Sequence, residues 1–141
     1  MFLPDVNVLL ALMFEAHQHH PPAREWFDGI PDDSGMMCRI TQTALLRLAT
    51  NPALFGREAL RLSEAWVCYD SLMDDPRLEY ALEPLGLDHL WRRFTTTRSY
   101  SPKVWNDAYL AAFAMAGGLT VVTFDKAFRS VPDLAVQLLR G

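Results

Sequence analysis

Three aspartates stand in this sequence where hydrophobic residues would be expected. Asp5 follows the short apolar run 2–4 and precedes VNVLLALMF, Asp125 follows LTVVTF, and Asp107 lies within the helical pattern KVWNDAYLAAFAMA. Burying an unpaired carboxylate is costly unless a cation, backbone N–H groups or a metal ion compensates its charge. Carboxylate oxygens are the ligands that Mg²⁺ and Mn²⁺ prefer. The three aspartates therefore predict a divalent-metal site that hydrolyses a phosphodiester with a metal-activated water.

Each aspartate also has a purely structural interpretation. Asp5 and Asp125 stand at strand-to-helix turns, where aspartate often caps a helix. Asp107 could pair with Arg47 or Lys103. The joint pattern favours a shared site, because two of the acids follow strands and the third lies near the start of a helix.

The elements that position these acids alternate between short strands and longer helices. Strands are predicted over residues 2–4, 35–40, 77–82, 119–124 and 135–139. Helices are predicted over residues 6–15, 20–29, 41–50, 57–73, 88–97 and 103–116. Such alternation predicts one α/β domain over residues 1–141, a three-layer α/β/α sandwich with a mostly parallel sheet of four to five strands. Ligands of such sheets bind at the carboxyl ends of the strands.

Several local details accompany this prediction. Thr41 and Asp88 are expected to cap the helices that follow them. The helix over 57–73 is expected to be amphipathic, with its inward residues at Leu60, Ala65, Trp66, Tyr69, Leu72 and Met73.

Composition constrains the partners and the compartment. The net charge of −4 is unusual for a protein that binds nucleic acid through surface charge alone, but a bound cation would reverse the local sign. No apolar run reaches the roughly 20 residues of a membrane span, and the N-terminus has no basic region or cleavage site. Cys38 and Cys68 form no ligand pattern. We therefore expect a cytoplasmic protein with reduced thiols and no membrane segment.

Five motifs in order along the chain resemble the PIN-domain family, and within it the VapC toxins. They are DVNVLLAL (5–12), HxHHxxA (17–23), ITQTALLRLATNP (40–52), WNDAYLAA (105–112) and VTFDKAF (122–128). The resemblance implies a PIN-like fold and a Mg²⁺- or Mn²⁺-dependent endoribonuclease, the toxin of a type II toxin–antitoxin pair. It also implies a homodimer, an RNA substrate and a small cognate antitoxin that covers the active-site groove.

The resemblance also assigns roles to individual residues. Asp5, Asp107 and Asp125 match three acidic ligands of the family and would be both metal-binding and catalytic. Asn7, in the D-x-N arrangement, and Thr123 match polar positions that support the first and last of these acids.

The chain departs from the family on the helix after the second strand, where a further acid is common. That helix reads TQTALLRL, and Gln42 or Ala44 stands near the expected place. Gln42 is kept as a supporting residue, and one tightly held ion is predicted rather than two. Arg47, Lys103 and Lys126 are predicted RNA contacts.

Two other functions are compatible with the residues. One is an aspartate-dependent phosphotransferase or phosphatase with Asp5 as nucleophile, although D-x-N differs from the usual D-x-D-x-T. The other is a non-catalytic or decayed PIN-like binding module. Trp91, Tyr100 and Trp105 are interpreted as core or dimer contacts rather than as base-stacking residues. His17, His19 and His20 are interpreted as a helix-entry loop, with His20 or His17 packing on the next helix, rather than as a zinc site.

Overall fold

A computed structural model describes all residues 1–141 and contains one five-stranded sheet. The strands are β1 (Phe2–Pro4), β2 (Gly35–Met37), β3 (Leu78–Tyr80), β4 (Thr120–Thr123) and β5 (Val136–Leu138). They are arranged in the order β3-β2-β1-β4-β5, and every neighbouring pair is parallel. The predicted α/β class and sheet size are confirmed.

Seven α-helices connect and cover these strands. They are α1 (Val6–Met13), α2 (His20–Asp28), α3 (Arg39–Ala49), α4 (Pro52–Phe55), α5 (Leu62–Met73), α6 (Leu87–Thr96) and α7 (Val104–Gly117). Two short 3-10 helices lie at Gly56–Glu58 and Lys126–Ser130. No helix combines the length and the apolarity that crossing a membrane requires.

Side chains of the central strands alternate between two hydrophobic cores. Leu3 and Val121 point to the core that includes residues of α6 and α7. Val122 points to the opposite core, which is built mainly by α1, α2 and α3. Since successive residues of a strand face opposite sides, three or four residues per strand supply both cores. The three-layer arrangement follows from this alternation.

The turn from α7 into β4 depends on glycine. Gly118 has φ +66°, a left-handed conformation that side-chain-bearing residues rarely adopt, and its N–H bonds to carbonyls at the end of α7. This glycine ends the helix and returns the chain into the central strand next to β1.

Four local predictions are wrong. Cys38, not Thr41, precedes α3, and Thr41 is buried inside the helix with its hydroxyl 3.3 Å from the Cys38 sulfur. Gly86 begins α6, and Asp88 instead bonds Arg92 one turn later.

The other two concern the segment 57–73. It is not one helix, because a 3-10 turn and an extended stretch precede α5. Trp66 is half exposed instead of facing inward.

Pairing of β1 with β4 sets the position of the acidic residues. Pro4 is in register with Val122, and the Asp5 N–H donates to the Val122 carbonyl at 2.8 Å. Asp5 and Asp125 therefore leave adjacent central strands at the same edge of the sheet.

Candidate active site

Asp5 is held at the end of β1 by two hydrogen bonds. Its Oδ1 accepts from the Val6 N–H at 2.7 Å, so the residue does cap α1. Its Oδ2 accepts from the Thr123 hydroxyl at 2.9 Å. Burial raises the pKa of Asp5 above its ordinary value, the two hydrogen bonds oppose that shift, and the nearby charge of Asp125 adds to it.

Thr123 connects the two strand ends through one buried hydroxyl. This oxygen donates to Asp5 and accepts from the Asp125 N–H at 3.0 Å and from the Asn7 side-chain amide at 3.4 Å. Asn7 also accepts from the Phe124 N–H at 3.4 Å. The predicted supporting roles of Asn7 and Thr123 have a structural basis in this network, which fixes the orientation of the first acid.

Asp125 also has a capping role. Its Oδ1 accepts from the Ala127 N–H at 2.9 Å and so begins the 3-10 helix at Lys126–Ser130. The capping interpretation and the shared-site interpretation are therefore compatible, because a carboxylate that accepts one N–H has further lone pairs available.

Asp107 is the least compensated of the three acids. It lies in the first turn of α7, and no hydrogen bond to its carboxylate offsets the effect of burial. Burial, followed by the charges of Asp5 and Asp125, raises its pKa to about 6, and Lys103 and Arg98 act in the opposite direction. The alternative interpretation of Asp107, an ion pair with Arg47 or Lys103, does not hold, because neither pair is formed.

All three acids line one cavity of about 360 Å³ at the carboxyl edge of the sheet. Arg47 and Lys103 line it as well, but Lys126 does not. Gln42 is buried elsewhere on α3, where its Oε1 accepts from Arg39 at 2.6 Å. Of the two residues near the place where the family often has a further acid, Ala44 lines the cavity and Gln42 does not.

The acids suit a divalent cation in chemistry, but they do not form a ready coordination sphere. Their oxygens are hard ligands, and no arginine, lysine or histidine lies within 4 Å of them as an ion-pair partner. No group of three or more histidine, cysteine, aspartate and glutamate side chains is arranged to hold a metal ion as it stands. Ligation by all three would need side-chain rotation, for which the unbonded Asp107 is free.

The histidines do not form a metal site. His20 lies 2.7 Å from the Ala11 carbonyl through Nδ1, and the His19 ring stacks on Phe124 with ring centres 4.6 Å apart. His17 accepts the His19 N–H on its Nδ1 at 3.0 Å. His17 also lines the cavity of the acids.

Sequence reasoning missed several cavity residues. Asn106 and His17 contribute polar groups, and an apolar face of α3 forms one wall. Asn106 directly precedes Asp107, and this adjacency could have identified it as a residue of the site. The α3 wall carries the spacing i, i+4, i+8 at Ile40, Ala44 and Leu48, which in the sequence is indistinguishable from core packing.

Comparisons with known proteins identify the family of the chain. The PIN domain matches residues 2–134. Ribonuclease VapC41 of Mycobacterium tuberculosis is 44% identical, with 99% of each chain covered.

Two solved structures share the fold. VapBC-1 from nontypeable Haemophilus influenzae has a TM-score of 0.71 at 20% identity, covering 97% of this chain and 96% of that one. A toxin–antitoxin complex from Klebsiella pneumoniae has a TM-score of 0.62 at 15% identity, covering 96% of each chain. The chain belongs to the PIN-domain family, among the relatives named VapC.

Proposed function

We propose that this protein is a Mg²⁺- or Mn²⁺-dependent endoribonuclease that acts as the toxin of a type II toxin–antitoxin pair. The observation that carries the proposal is the convergence of Asp5, Asp107 and Asp125 on one cavity with no cationic partner. The 44% identity to a protein named ribonuclease VapC41 supports RNA as the substrate.

The acids would bind the metal ion, and the basic residues would bind the RNA phosphates. Asp5, oriented by Val6 and Thr123, and Asp125 would hold the ion from the strand ends, and Asp107 would complete the ligand set from α7. When bound, a divalent ion polarises a phosphodiester and lowers the pKa of a coordinated water. Lys103 and Arg47, both exposed at the cavity, would bind the phosphates that flank the cleaved bond.

One tightly held ion is more consistent with the cavity than two. The wall formed by α3 presents Ile40, Ala44 and Leu48, and none of these offers an oxygen from its side chain. Thr41 lies on the same wall, but its hydroxyl is already in contact with the Cys38 sulfur. Oxygen ligands are therefore concentrated on the side of Asp5, Asp107 and Asp125.

Cleavage of purified RNA tests the proposal directly. The protein, freed of any co-purifying partner, is incubated with total RNA in Mg²⁺ or Mn²⁺, and products are followed by electrophoresis. We expect cleavage by the parent, none in EDTA, and a loss of at least about 100-fold in Asp5→Asn and Asp107→Asn, since metal catalysis contributes several kcal/mol. Asp70→Asn is the matched control, because Asp70 is exposed on α5.

Two results would reject the proposal. One is a parent protein that does not cut RNA with either metal, and the other is unchanged cutting by Asp5→Asn and Asp107→Asn. A stable aspartyl-phosphate on Asp5 after incubation with a phosphodonor would instead establish the phosphotransferase alternative. Failure to bind either metal would favour the non-catalytic PIN-like module, which is the alternative suggested by the lack of an acid on α3.

The proposed partner is a small antitoxin, and the proposed assembly contains a toxin homodimer. The structural neighbour from Klebsiella pneumoniae is a toxin–antitoxin complex. In this chain, α5 exposes the apolar side chains of Leu62, Trp66 and Val67, which gives a surface for such contacts.

Light scattering of the purified protein should report twice the monomer mass. Replacement of all three α5 residues by serine should weaken either self-association or antitoxin binding, and no change in both would exclude α5 as an interface.

A further inference from the structure

One wall of the cavity that the three acids share is formed by α3 and carries a positive charge. We call it the α3 wall and define it by its lining residues Ile40, Thr41, Ala44, Arg47 and Leu48. Helix α3 contains no aspartate or glutamate, and Arg47 is the single charged residue of this wall. The acids of the cavity therefore come from the strand ends and from α7, while α3 contributes a cation instead.

Arg47 is available to a ligand in the cavity. It is exposed and forms no ion pair. Residues three apart on a helix are neighbours on one face, and the methyl group of Ala44 is too short to cover the arginine beside it. A cation in the last turn of a helix also interacts favourably with the helix dipole, and Arg47 occupies that turn of α3. This structural role would affect stability, but it would not affect a reaction in the cavity.

Hydrolysis of a phosphodiester benefits from positive charge at two places. A water oxygen bonds to phosphorus while the bond from phosphorus to the leaving oxygen breaks, and negative charge accumulates on the leaving oxygen until it takes a proton from solvent. Two ions can stabilise both the attacking and the leaving oxygen, whereas one ion is placed to serve one of them. An arginine at the reacting phosphate supplies the same kind of stabilisation, which can raise the rate about 10³-fold or more. The parallel N–H donors of its planar guanidinium match phosphate oxygens.

We propose that Arg47 contacts the cleaved phosphate from the α3 wall and stabilises the negative charge of the leaving oxygen, opposite the ion held by Asp5, Asp107 and Asp125. The inference rests on the proposed function, since it takes the substrate to be an RNA phosphodiester and the site to hold one ion. The guanidinium then takes the part that a second ion would have, and Arg47 is a catalytic residue. Its five N–H donors also allow the contact with a flanking phosphate.

Cleavage and metal binding measured on the same variants test this role. We determine kcat and KM on one RNA in Mn²⁺, and Mn²⁺ affinity by calorimetry. Arg47→Gln should lower kcat at least about 100-fold, while KM and Mn²⁺ affinity change less than about threefold, since the charge is needed in the transition state and not by the ion. Arg57→Gln removes the same charge from an exposed position outside the cavity and should cut like the parent.

A second variant asks whether a metal ion can replace the guanidinium. Ala44→Glu, added to Arg47→Gln, places a carboxylate on the same wall three residues before the lost cation. Calorimetry should then report two Mn²⁺ ions per chain instead of one, and kcat should recover at least about tenfold relative to Arg47→Gln alone. Ala53→Glu, added to Arg47→Gln at an exposed position of α4, should do neither.

Three results would overturn the role of Arg47. They are an Arg47→Gln variant that cuts within about threefold of the parent, a loss confined to KM, and a loss of Mn²⁺ affinity parallel to the loss of cleavage. A second ion that binds in the double variant without any recovery of kcat would contradict it as well. A parent that cuts RNA and an Arg47→Gln variant that cuts equally reject this role alone, whereas a parent that cuts no RNA rejects the proposed function together with it.

Discussion

Carboxylates at the amino and carboxyl ends of the strands differ in whether a cation pairs with them. At the amino edge, Arg77 donates to both oxygens of Asp75 at 2.9 and 2.8 Å, to Asp28 at 3.3 Å and to the Phe27 carbonyl at 3.0 Å. Its guanidinium also lies 4.0 Å from the centre of the Phe27 ring. At the carboxyl edge, Asp107 has no such partner.

The pKa directions express the same contrast. Hydrogen bonds from Arg77 lower the pKa of Asp75, whereas burial and neighbouring acids raise the pKa of Asp107 to about 6. A paired acid contributes to stability, and an unpaired acid in a cavity reduces it. The amino edge is therefore a structural ion-pair cluster, while the carboxyl edge has the character of a binding site that lacks its cation.

The largest expected difference is in RNA cleavage between asparagine variants at the two edges of the sheet. Asp107→Asn is expected to lower RNA cleavage at least about 100-fold, because a charged ligand is lost. Asp75→Asn should cleave within about twofold of the parent, since Asp75 lies at the other end of the sheet. Initial rates on one RNA in Mn²⁺ check this, and equal losses in both variants would remove the distinction between the edges.

Loss of the Thr123 hydroxyl should disturb the carboxyl edge alone. Thr123→Val leaves Asp5 Oδ2, the Asn7 amide and the Asp125 N–H without this shared partner. We expect a decrease of about 2 kcal/mol in the free energy of unfolding, the usual cost of unsatisfied buried groups. Thr120→Val, in the same strand, is the control. Urea denaturation measures both, and an equal effect of the two substitutions would argue against a special role for Thr123.

Metal affinity should depend on pH at the carboxyl edge. A proton competes with a cation for Asp107, whose pKa lies at about 6 in the free protein. The apparent Mn²⁺ affinity should therefore be nearly constant above pH 7 and fall up to about tenfold per pH unit below pH 6. Calorimetric titrations at pH 7.5, 6 and 5 check this expectation. Affinity independent of pH would mean that Asp107 is not a ligand.

Stability should respond with opposite signs at the two edges. Asp75→Asn should destabilise the protein, and Asp107→Asn should stabilise it in EDTA at pH 7.5, each by about 1 kcal/mol once solvent screening is allowed for. Because the pKa of Asp107 is raised, its unfavourable contribution grows as pH rises from the ordinary aspartate value of 3.8 to about 6 and is complete above that, so the Asp107→Asn gain should be small near pH 4. The favourable contribution of Asp75, whose pKa is lowered, is lost at acidic pH instead.

Urea denaturation of both variants in EDTA at pH 7.5 and pH 4 measures these changes. Changes of the same sign in the free energy of unfolding at pH 7.5 would contradict the view that one edge is a structural ion-pair cluster and the other a binding site.

Ligands of a parallel sheet bind at the carboxyl ends of its strands, and this rule was sufficient to locate most of the candidate site from sequence. Asp5 and Asp125 follow apolar runs that only central strands would contain, and Asp107 interrupts a helix that is otherwise apolar. The network around Thr123 followed only from the resemblance, since a threonine at the end of a strand has no distinctive pattern of its own.

Other features needed coordinates. The wall of α3 carries a core-like spacing, and whether Ala44 faces protein or an open cavity depends on how α1 and α7 are placed. Trp66 fits an inward helical face by spacing, yet it is half exposed, and Ala65 and Tyr69 are the buried residues of α5. Helix α3 likewise begins at Arg39 rather than after Thr41, and the buried Cys38 that precedes it makes no side-chain capping bond.

Titration of Mn²⁺ into the parent and into Asp107→Asn by calorimetry at pH 7.5 is the most direct test of the three-carboxylate site. We predict saturable binding of one ion to the parent and at least a tenfold weaker affinity in the variant. No binding to the parent, or equal affinity in the two proteins, would contradict a metal site built on Asp5, Asp107 and Asp125.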